Sequence, residues 1–218
     1  YRSGDTLYRA SFGFEHANDN RVEQARVTTL ERFLVNEESD QGELSVNVEH
    51  KFIAGVTGRL DIVQNYESET SQSGRAGAVA TSEARSGESN LRATLVLRNS
   101  DQLGFEAGAE AAFNFLDQTS TLTTTNANVR VEELRIQPFA TMNWQIAPRF
   151  ALESGVRYAP STISQSGDTN SERSFNHVKP RVIAVLDVLD RTQLRLGYEH
   201  AVRQLDFEYF AASNGPSE

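Results

Sequence analysis

Residues 103–115, LGFEAGAEAAFNF, alternate apolar and polar side chains without settling into a helical period. Phe105 and Ala109 belong to one row of this pattern, and Glu106 and Glu110 belong to the other. Successive side chains of an extended strand point to opposite faces of its sheet. A strand with hydrocarbon on one face and carboxylates on the other fits a wall between lipid and water. The stretch therefore predicts a strand of a transmembrane β-barrel.

The composition suits such a wall better than a packed globular core. Of the 218 residues, 38% are hydrophobic, the mean hydropathy is -0.49 and the formal net charge is -9. Low hydrophobicity with a high net charge is also typical of disordered chains, but the regular alternation and an aromatic content of 9% argue against disorder. No apolar run approaches the roughly 18 residues of a membrane helix, which a barrel does not need.

The chain offers few residues for catalysis or metal binding. It contains no cysteine, which removes disulfides and thiolate sites, and its four histidines show no metal-ligand spacing. The motifs H-E-x-x-H and G-x-S-x-G are absent, and an acidic chain of pI near 5.0 is poorly suited to binding phosphate backbones. We therefore predict that the protein is not an enzyme, uses no cofactor or metal and binds no nucleic acid.

The alternation recurs along the chain and predicts about ten strand-like segments. Polar clusters at 18–20 and 36–40 predict turns, with a weaker segment at 21–35 between them. From residue 53 onward, short turns alternate with long polar connections, as periplasmic turns and extracellular loops do in outer-membrane barrels. The long connections are rich in Ser, Thr, Gly and Asn, which predicts flexible loops. These loops are expected at about 67–88, 119–128 and 165–176.

Aromatic residues and prolines bear on the same arrangement. Phe52, Trp144 and Phe150 lie beside the short turns, where an aromatic girdle at a membrane interface would place them. Pro138 and Pro180 fall inside predicted strands, and each removes one hydrogen bond of the ladder. The prolines count modestly against every all-β interpretation, and a soluble sandwich would imitate part of the pattern.

The two rows of each strand give two sets of candidate site residues. The polar row would face the lumen, where opposite charges on neighbouring strands stabilise the sheet or line a path for a solute. The apolar row would face lipid. Candidate lumen-facing residues are Arg92, Glu106, Glu110, Glu133, Arg135, Glu153, Arg157, Lys179, Arg181, Arg195 and Glu199. Candidate lipid-facing residues are Leu95, Phe105, Ala109, Phe113, Ile136, Met142, Trp144, Val182 and Leu196.

Several short phrases of the sequence resemble the barrel of TonB-dependent outer-membrane receptors. The likeness is clearest over residues 86–213 and is closest to the large receptors of alphaproteobacteria. The phrases are typical strand and loop segments of the family rather than catalytic signatures. They are RVEE at 130–133, LESGVRY at 152–158, STISQSGD at 161–168, VKPR at 178–181, QLR at 193–195 and RQLDF at 203–207.

The resemblance implies an all-β, antiparallel, up-and-down barrel of about 22 strands in the outer membrane of a Gram-negative bacterium. It also implies an N-terminal plug, a TonB energy-coupling complex and an extracellular small-molecule ligand, such as a siderophore, cobalamin or an oligosaccharide. The loops would capture the ligand, and movement of the plug would open the lumen. Residues 1–218 are then expected to be a partial barrel domain, without the plug and the C-terminal strands.

Two alternatives stay open at this point. The chain would also suit a self-contained outer-membrane barrel of about ten strands with a structural, adhesive or passive pore role. An outer-membrane enzyme of the lipase or protease kind is disfavoured because the search for catalytic motifs found none.

Overall fold

The computed structural model of the chain describes residues 1–26, 30–75, 78–98, 100–122, 125–189 and 191–202. These residues form a single sheet of ten strands, in which each strand pairs in antiparallel fashion with its neighbour in sequence. The order is β1 to β10, so the sheet is open, with β1 and β10 at its edges. The strands are β1 (Arg2–Ser3), β2 (Thr6–Arg26), β3 (Leu30–Ile53), β4 (Val56–Arg75), β5 (Ala78–Arg98), β6 (Leu103–Leu122), β7 (Thr125–Ala147), β8 (Phe150–Gly167), β9 (Ser171–Leu189) and β10 (Thr192–Glu199).

This architecture confirms the predicted all-β, up-and-down fold. Among the described residues there is no helix that is long and apolar enough to span a membrane. The family phrase at 203–207 lies outside the described residues. The strands β2 to β9 have between 18 and 24 residues, whereas a tilted strand crosses a bilayer with about 9–11. Each long strand therefore has enough residues to cross a bilayer and continue beyond it.

The three predicted long loops are wrong. The described residues of 67–88 continue β4 and β5, whose pairing runs without interruption from Val56 and Leu97 to Arg75 and Ala78. Those of 119–128 likewise continue β6 and β7, and 165–176 holds the ends of β8 and β9. Their polar composition suits a strand pair that has water on both faces, because ladder hydrogen bonds satisfy the backbone and no face needs hydrocarbon. Alternation of apolar and polar residues identifies a strand only when one face of that strand is buried.

The predicted turns at 18–20 and 36–40 are wrong for the same reason. Both lie inside strands, and the pairing of β2 with β3 passes through Asn18 with Glu38 and Asn20 with Asn36. The predicted segment 21–35 therefore belongs to two strands, and part of it lies outside the described residues. The expected number of about ten strands agrees with the structure only because the short strand β1 compensates for that segment.

Prolines interrupt one ladder within the sheet. The pairing of β7 with β8 stops after Arg135 and Ser161 and resumes at Phe139 and Arg157. Pro138 lies in the gap on β7, and β8 has Pro160 within the matching stretch. Neither residue has a backbone N–H to donate, so the interruption follows directly from the sequence.

Burial in this sheet is inverted relative to a soluble protein. The polar side chains Glu133 and Gln137 are buried, with exposures of 3% and 4%. In contrast, Phe12 and Leu196 are 74% and 73% exposed.

Candidate functional site

Strand register divides the side chains into two faces. On the first, which we call the apolar face, Leu95 pairs with Ala107, Phe105 pairs with Met142 and Ala111 pairs with Ile136. The same alternation places all the candidate lipid-facing residues on this face. The second, or polar, face contains all the candidate lumen-facing residues, including the pairs Arg92 with Glu110 and Arg181 with Glu199. That one face meets lipid and the other a lumen stays a prediction.

The apolar face of β6 is long enough to span a bilayer. From Leu103 to Phe115 the alternate side chains are Leu, Phe or Ala. At about 3.3 Å per residue this row is about 40 Å long. A tilt of about 40°, typical of outer-membrane barrels, reduces its height to about 30 Å, slightly more than the apolar band of about 25 Å in such proteins.

An aromatic row marks one end of the apolar face. Strand register aligns Phe14, Tyr66 and Phe115, with Gly42 and Gly87 between them. A Cβ atom at Gly87 would collide with the ring of Phe115. Gly87 therefore provides the space that the Phe115 ring occupies, whereas a Cβ atom at Gly42 would meet no neighbouring atom.

Charged groups follow this row on the apolar face. The guanidinium of Arg130 bonds Asp117 at 3.3 Å and Glu132 at 2.7 Å, and the hydrogen bond to Glu132 is the main cause that raises the pKa of Arg130. The ring of His16 lies 2.8 Å from a carboxylate oxygen of Asp40. Their hydrogen bond raises the pKa of His16 above its ordinary value of 6.5. These charges show where the hydrocarbon band ends.

The centre of the polar face contains an aromatic ring between two cations. The guanidinium carbons of Arg92 and Arg157 lie 4.9 and 5.2 Å from the ring centroid of Phe139. Phe139 pairs in register with Gly108, where a Cβ atom would be 2.9 Å from Cζ of the ring and would collide with the carbonyl oxygen of Ala93. Gly108 therefore provides the space in which Phe139 lies, and both guanidinium groups gain cation–π contacts.

Hydrogen bonds link the cations of this centre to its acids. Arg92 bonds Glu106 at 3.1 Å, and Arg157 bonds Glu110 at 3.3 Å and Gln137 at 3.0 Å. Glu106 and Glu110 thus have separate arginine partners. They do not form a carboxylate dyad, and their arrangement offers no general acid and base pair. Within the described ranges, no group of three or more His, Cys, Asp or Glu side chains could hold a metal ion.

The polar face differs in charge between its two sides. On β2 to β4, which we call the acidic side, carboxylates outnumber cations among the described residues. Arg21 bonds Asp19, Glu23 and Glu37, and Arg59 bonds Glu49 at 3.1 Å. The remaining acids of this side include Glu15, Glu43, Asp61, Glu67 and Glu69.

The polar face of β9 has the opposite sign. Its side chains Arg173, Phe175, His177, Lys179 and Arg181, which we call the basic column, alternate along the strand. Arg181 bonds Glu153 of β8 at 3.1 Å. No ion pair involves Arg173 or Lys179 in the part of the chain that the structure describes.

A recess of about 640 Å³ lies at the end of the sheet that holds residues 100–102. Polar-face side chains that line it include Arg59, Arg98, Glu106, Asn143 and Glu153. It opens where strands β4 to β9 begin or end, beyond the central cations. Its mixed charges suit a hydrated surface and not a pocket for one apolar ligand.

Sequence reasoning missed several residues of the polar face. Phe139 was absent from the candidates, because a lone aromatic in the polar row has no sequence signal for its role. Asn114 and Gln137 are each 4% exposed, and Asn114 bonds Glu133 at 3.3 Å. A periodic pattern identifies the face of a residue, whereas burial on that face depends on its cross-strand neighbours. The signal that could have identified Phe139 is its pairing with Gly108, which is known only once the strand register is known.

Similar folds occur in solved structures of large outer-membrane receptors. The alcaligin outer-membrane receptor FauA from Bordetella pertussis aligns with a TM-score of 0.69 at 12% identity, over 90% of this chain and 33% of that chain. The siderophore receptor PiuA from Acinetobacter baumannii gives 0.71 at 10% identity, over 89% and 39%. The copper transporter OprC gives 0.68 at 14% identity, over 92% and 42%. The comparison with curated protein sequences gave no match.

These likenesses define the class of the fold, a wall of a large antiparallel β-barrel. The chain spans about a third to two fifths of the length of the first of these structures. The family description "TonB dependent receptor-like, beta-barrel" matches residues 1–217. The chain belongs to this family, which confirms the resemblance to TonB-dependent receptors, whereas the likeness to receptors of alphaproteobacteria stays a prediction. The family consists of receptor and transporter barrels and not of enzymes, as predicted.

Proposed function

We propose that the chain forms part of the barrel wall of an outer-membrane receptor that takes up a scarce solute by an energy-coupled mechanism. The apolar face contacts lipid and the polar face lines the lumen. In this arrangement the candidate residues from Leu95 to Leu196 and from Arg92 to Glu199 have the roles expected for them. The full-length protein adds a plug inside the barrel and contacts the TonB complex of the inner membrane.

The inverted burial carries this proposal. Large apolar side chains such as Phe12 and Leu196 are exposed, whereas Glu133 and Gln137 of the polar face are 3% and 4% exposed. Exposed apolar patches of this extent are rare on soluble monomers. Lipid is the solvent in which such a face is stable, because antiparallel ladders pair the backbone groups of neighbouring strands.

The strand ends beyond the aromatic row support a role in ligand capture. On β6, seven residues from Leu116 to Leu122 follow Phe115, and they remain paired with β7. We propose that these paired extensions stand outside the membrane and meet the ligand first. They hold binding side chains more rigidly than the predicted loops would.

The relatives support a small-molecule cargo in general terms. PiuA is described as a siderophore receptor and OprC as a copper transporter. Identities between 10% and 14% carry the fold alone, so the solute of this chain stays a prediction among siderophores, cobalamin and oligosaccharides.

Location and growth together test the proposal. The full-length receptor should fractionate with the outer membrane. A strain that lacks it should lose growth on one of three limiting supplies: a ferric siderophore as the iron source, cobalamin, or an oligosaccharide as the carbon source. A protonophore at a dose that spares growth on permeable nutrients should abolish that uptake. Uptake that continues with the protonophore would instead favour the passive pore, and absence from the outer membrane would contradict both.

A further inference from the structure

We propose that the basic column of β9 guides anionic solutes that carry carboxylate or phosphate groups. This inference rests on the proposed function, because it needs the polar face to line the lumen. It adds a chemical class of solute and a place on the wall where that solute binds.

The column runs along the direction of passage. Its positions from Arg173 to Arg181 are separated by two residues each and all point to the polar face. At about 3.3 Å per residue the column is about 26 Å long. The rings of Phe175 and His177 stack within it, with centroids 6.3 Å apart and planes at 15°. Arg173 lies at one end of the column, and Lys179 and Arg181 lie at the other.

At Lys179 the positive charge of the column is not balanced by an ion pair with the described wall. Lys179 lies directly opposite Arg157 in the pairing of β8 with β9, and like charges in that relation destabilise a sheet. Arg135 and Arg157 also act on Lys179 electrostatically, together with the carboxylate of Glu110. Glu110 already accepts a hydrogen bond from Arg157. An anion beside Lys179 would offset this repulsion.

The negative charge of the acidic side restricts where on the wall an anionic solute would bind. There, Arg21 and Arg59 are held by carboxylates of their own strands and of β3, and Asp61 accepts a hydrogen bond from Asn47 at 2.6 Å. The excess charge on that side repels an anion. A solute with carboxylates is therefore directed toward β8 and β9.

The repetition of cations favours a moving solute over a fixed acidic side chain. One carboxylate of the polypeptide would need one cation, whereas Arg173 and Lys179 are both without an ion pair among the described side chains. Pores for anions use successive basic sites that bind weakly enough to release their ion. The column has this arrangement.

Thiol labelling of the full-length receptor tests the inference without knowledge of the natural solute. Strand register aligns Ser161, beside the column, with Ser45 on the acidic side, so cysteines at these positions form a matched pair. The chain has no cysteine of its own. The rate ratio of an anionic to a cationic methanethiosulfonate reagent should be roughly tenfold higher for Ser161→Cys than for Ser45→Cys. Citrate at constant ionic strength should protect only Ser161→Cys, and the protection should saturate.

A second substitution in the cysteine variants distinguishes a binding site for the anion from a general attraction of anions to the wall. Lys179→Gln should lower the rate ratio at Ser161→Cys about threefold and weaken protection by citrate, Lys179→Arg should restore both, and Arg9→Gln on the acidic side should change neither. Equal rate ratios at the two cysteines, protection no better than that by chloride, or no labelling of Ser161→Cys at all would overturn the inference. Labelling is measured on receptor that is inserted in the outer membrane. Its result is therefore separate from that of the proposed function, which is contradicted by absence from the outer membrane or by uptake that needs no energy.

Discussion

The apolar and polar faces of this sheet share the same strands, yet their exposures are opposite to those of a water-soluble sheet. Val131 and Ile163, both on the polar face, are 0% and 4% exposed. Phe12 and Leu196, on the apolar face, are 74% and 73% exposed. The sheet therefore buries side chains against one another on the face that carries the charges. The other face has the hydrocarbon and lacks a protein partner among the described residues.

The comparison supports the proposal that the two faces meet different solvents. Contacts on the polar face are specific, as with Phe139 between Arg92 and Arg157. The apolar face has few such contacts, and its side chains form a band limited by Phe14, Tyr66 and Phe115. Substitutions on the polar face should therefore lower stability when they change the shape of a side chain. Substitutions on the apolar face should lower stability mainly when they introduce a charge.

The largest expected effect is that of a charge at the centre of the apolar face. Ala109→Arg on β6 should lower the free energy of unfolding of the full-length receptor by about 2–4 kcal/mol in lipid, because arginine would lie near the bilayer midplane. Urea titration in vesicles, monitored by tryptophan fluorescence, measures this change.

The control for this substitution is Asn143→Arg, on the exposed part of the polar face of β7. Its side chain would lie opposite Glu153, so the change should stay within about 0.5 kcal/mol. Equal losses of unfolding free energy for the two variants would contradict the proposal that the two faces meet different solvents.

A smaller effect is expected from shape on the polar face. Gly108→Ala would bring a Cβ atom against the Ala93 carbonyl oxygen and the Phe139 ring. It should cost about 1–3 kcal/mol through the displacement that follows. Gly104→Ala on the same strand is the matched control, since its Cβ atom would meet only the Leu97 carbonyl oxygen, at 3.8 Å. The same urea titration compares them, and similar costs for both glycines would contradict the packing described for Phe139.

The smallest effect is a pH dependence at the edge of the apolar face. The hydrogen bond from His16 to Asp40 raises the pKa of His16 in the folded protein. The protonated pair therefore stabilises the fold fully below about pH 6.5, and this contribution is lost as the pH rises through the raised pKa. The difference in Tm between the wild type and His16→Gln should decrease over that range. Asp40→Asn should show the same pattern, and a difference that grows with pH would contradict the pairing.

The sequence predicted the faces better than the ends of the strands. Alternation along 103–115 identifies β6 and its two rows because hydrocarbon on one side is a strict requirement there. The extension of β4 and β5 within 67–88 carries no such signal, since in the proposed arrangement it stands outside the membrane, where small polar residues are tolerated on both faces. A polar strand and a polar loop have similar composition, and only the pairing partner distinguishes them.

The centre of the polar face was predictable in part. The alternating charges of Arg92, Glu106 and Glu110 indicated a polar wall, and the structure brings them together with Arg157. The position of Phe139 over Gly108 and the opposition of Arg157 and Lys179 depend on register. A shift of two residues in a strand would keep every face and lose both contacts.

The central claim is that the apolar face meets lipid and the polar face meets water. Spin labels at successive positions from 103 to 111 of the full-length receptor in lipid vesicles test it most directly, through collision with oxygen or with a water-soluble nickel chelate. Labels at Phe105, Ala107 and Ala109 should collide mainly with oxygen. Labels at Gly104, Glu106 and Glu110 should collide mainly with the nickel chelate. Alternation of the opposite phase, or equal access of the nickel chelate to both sets, would contradict the account.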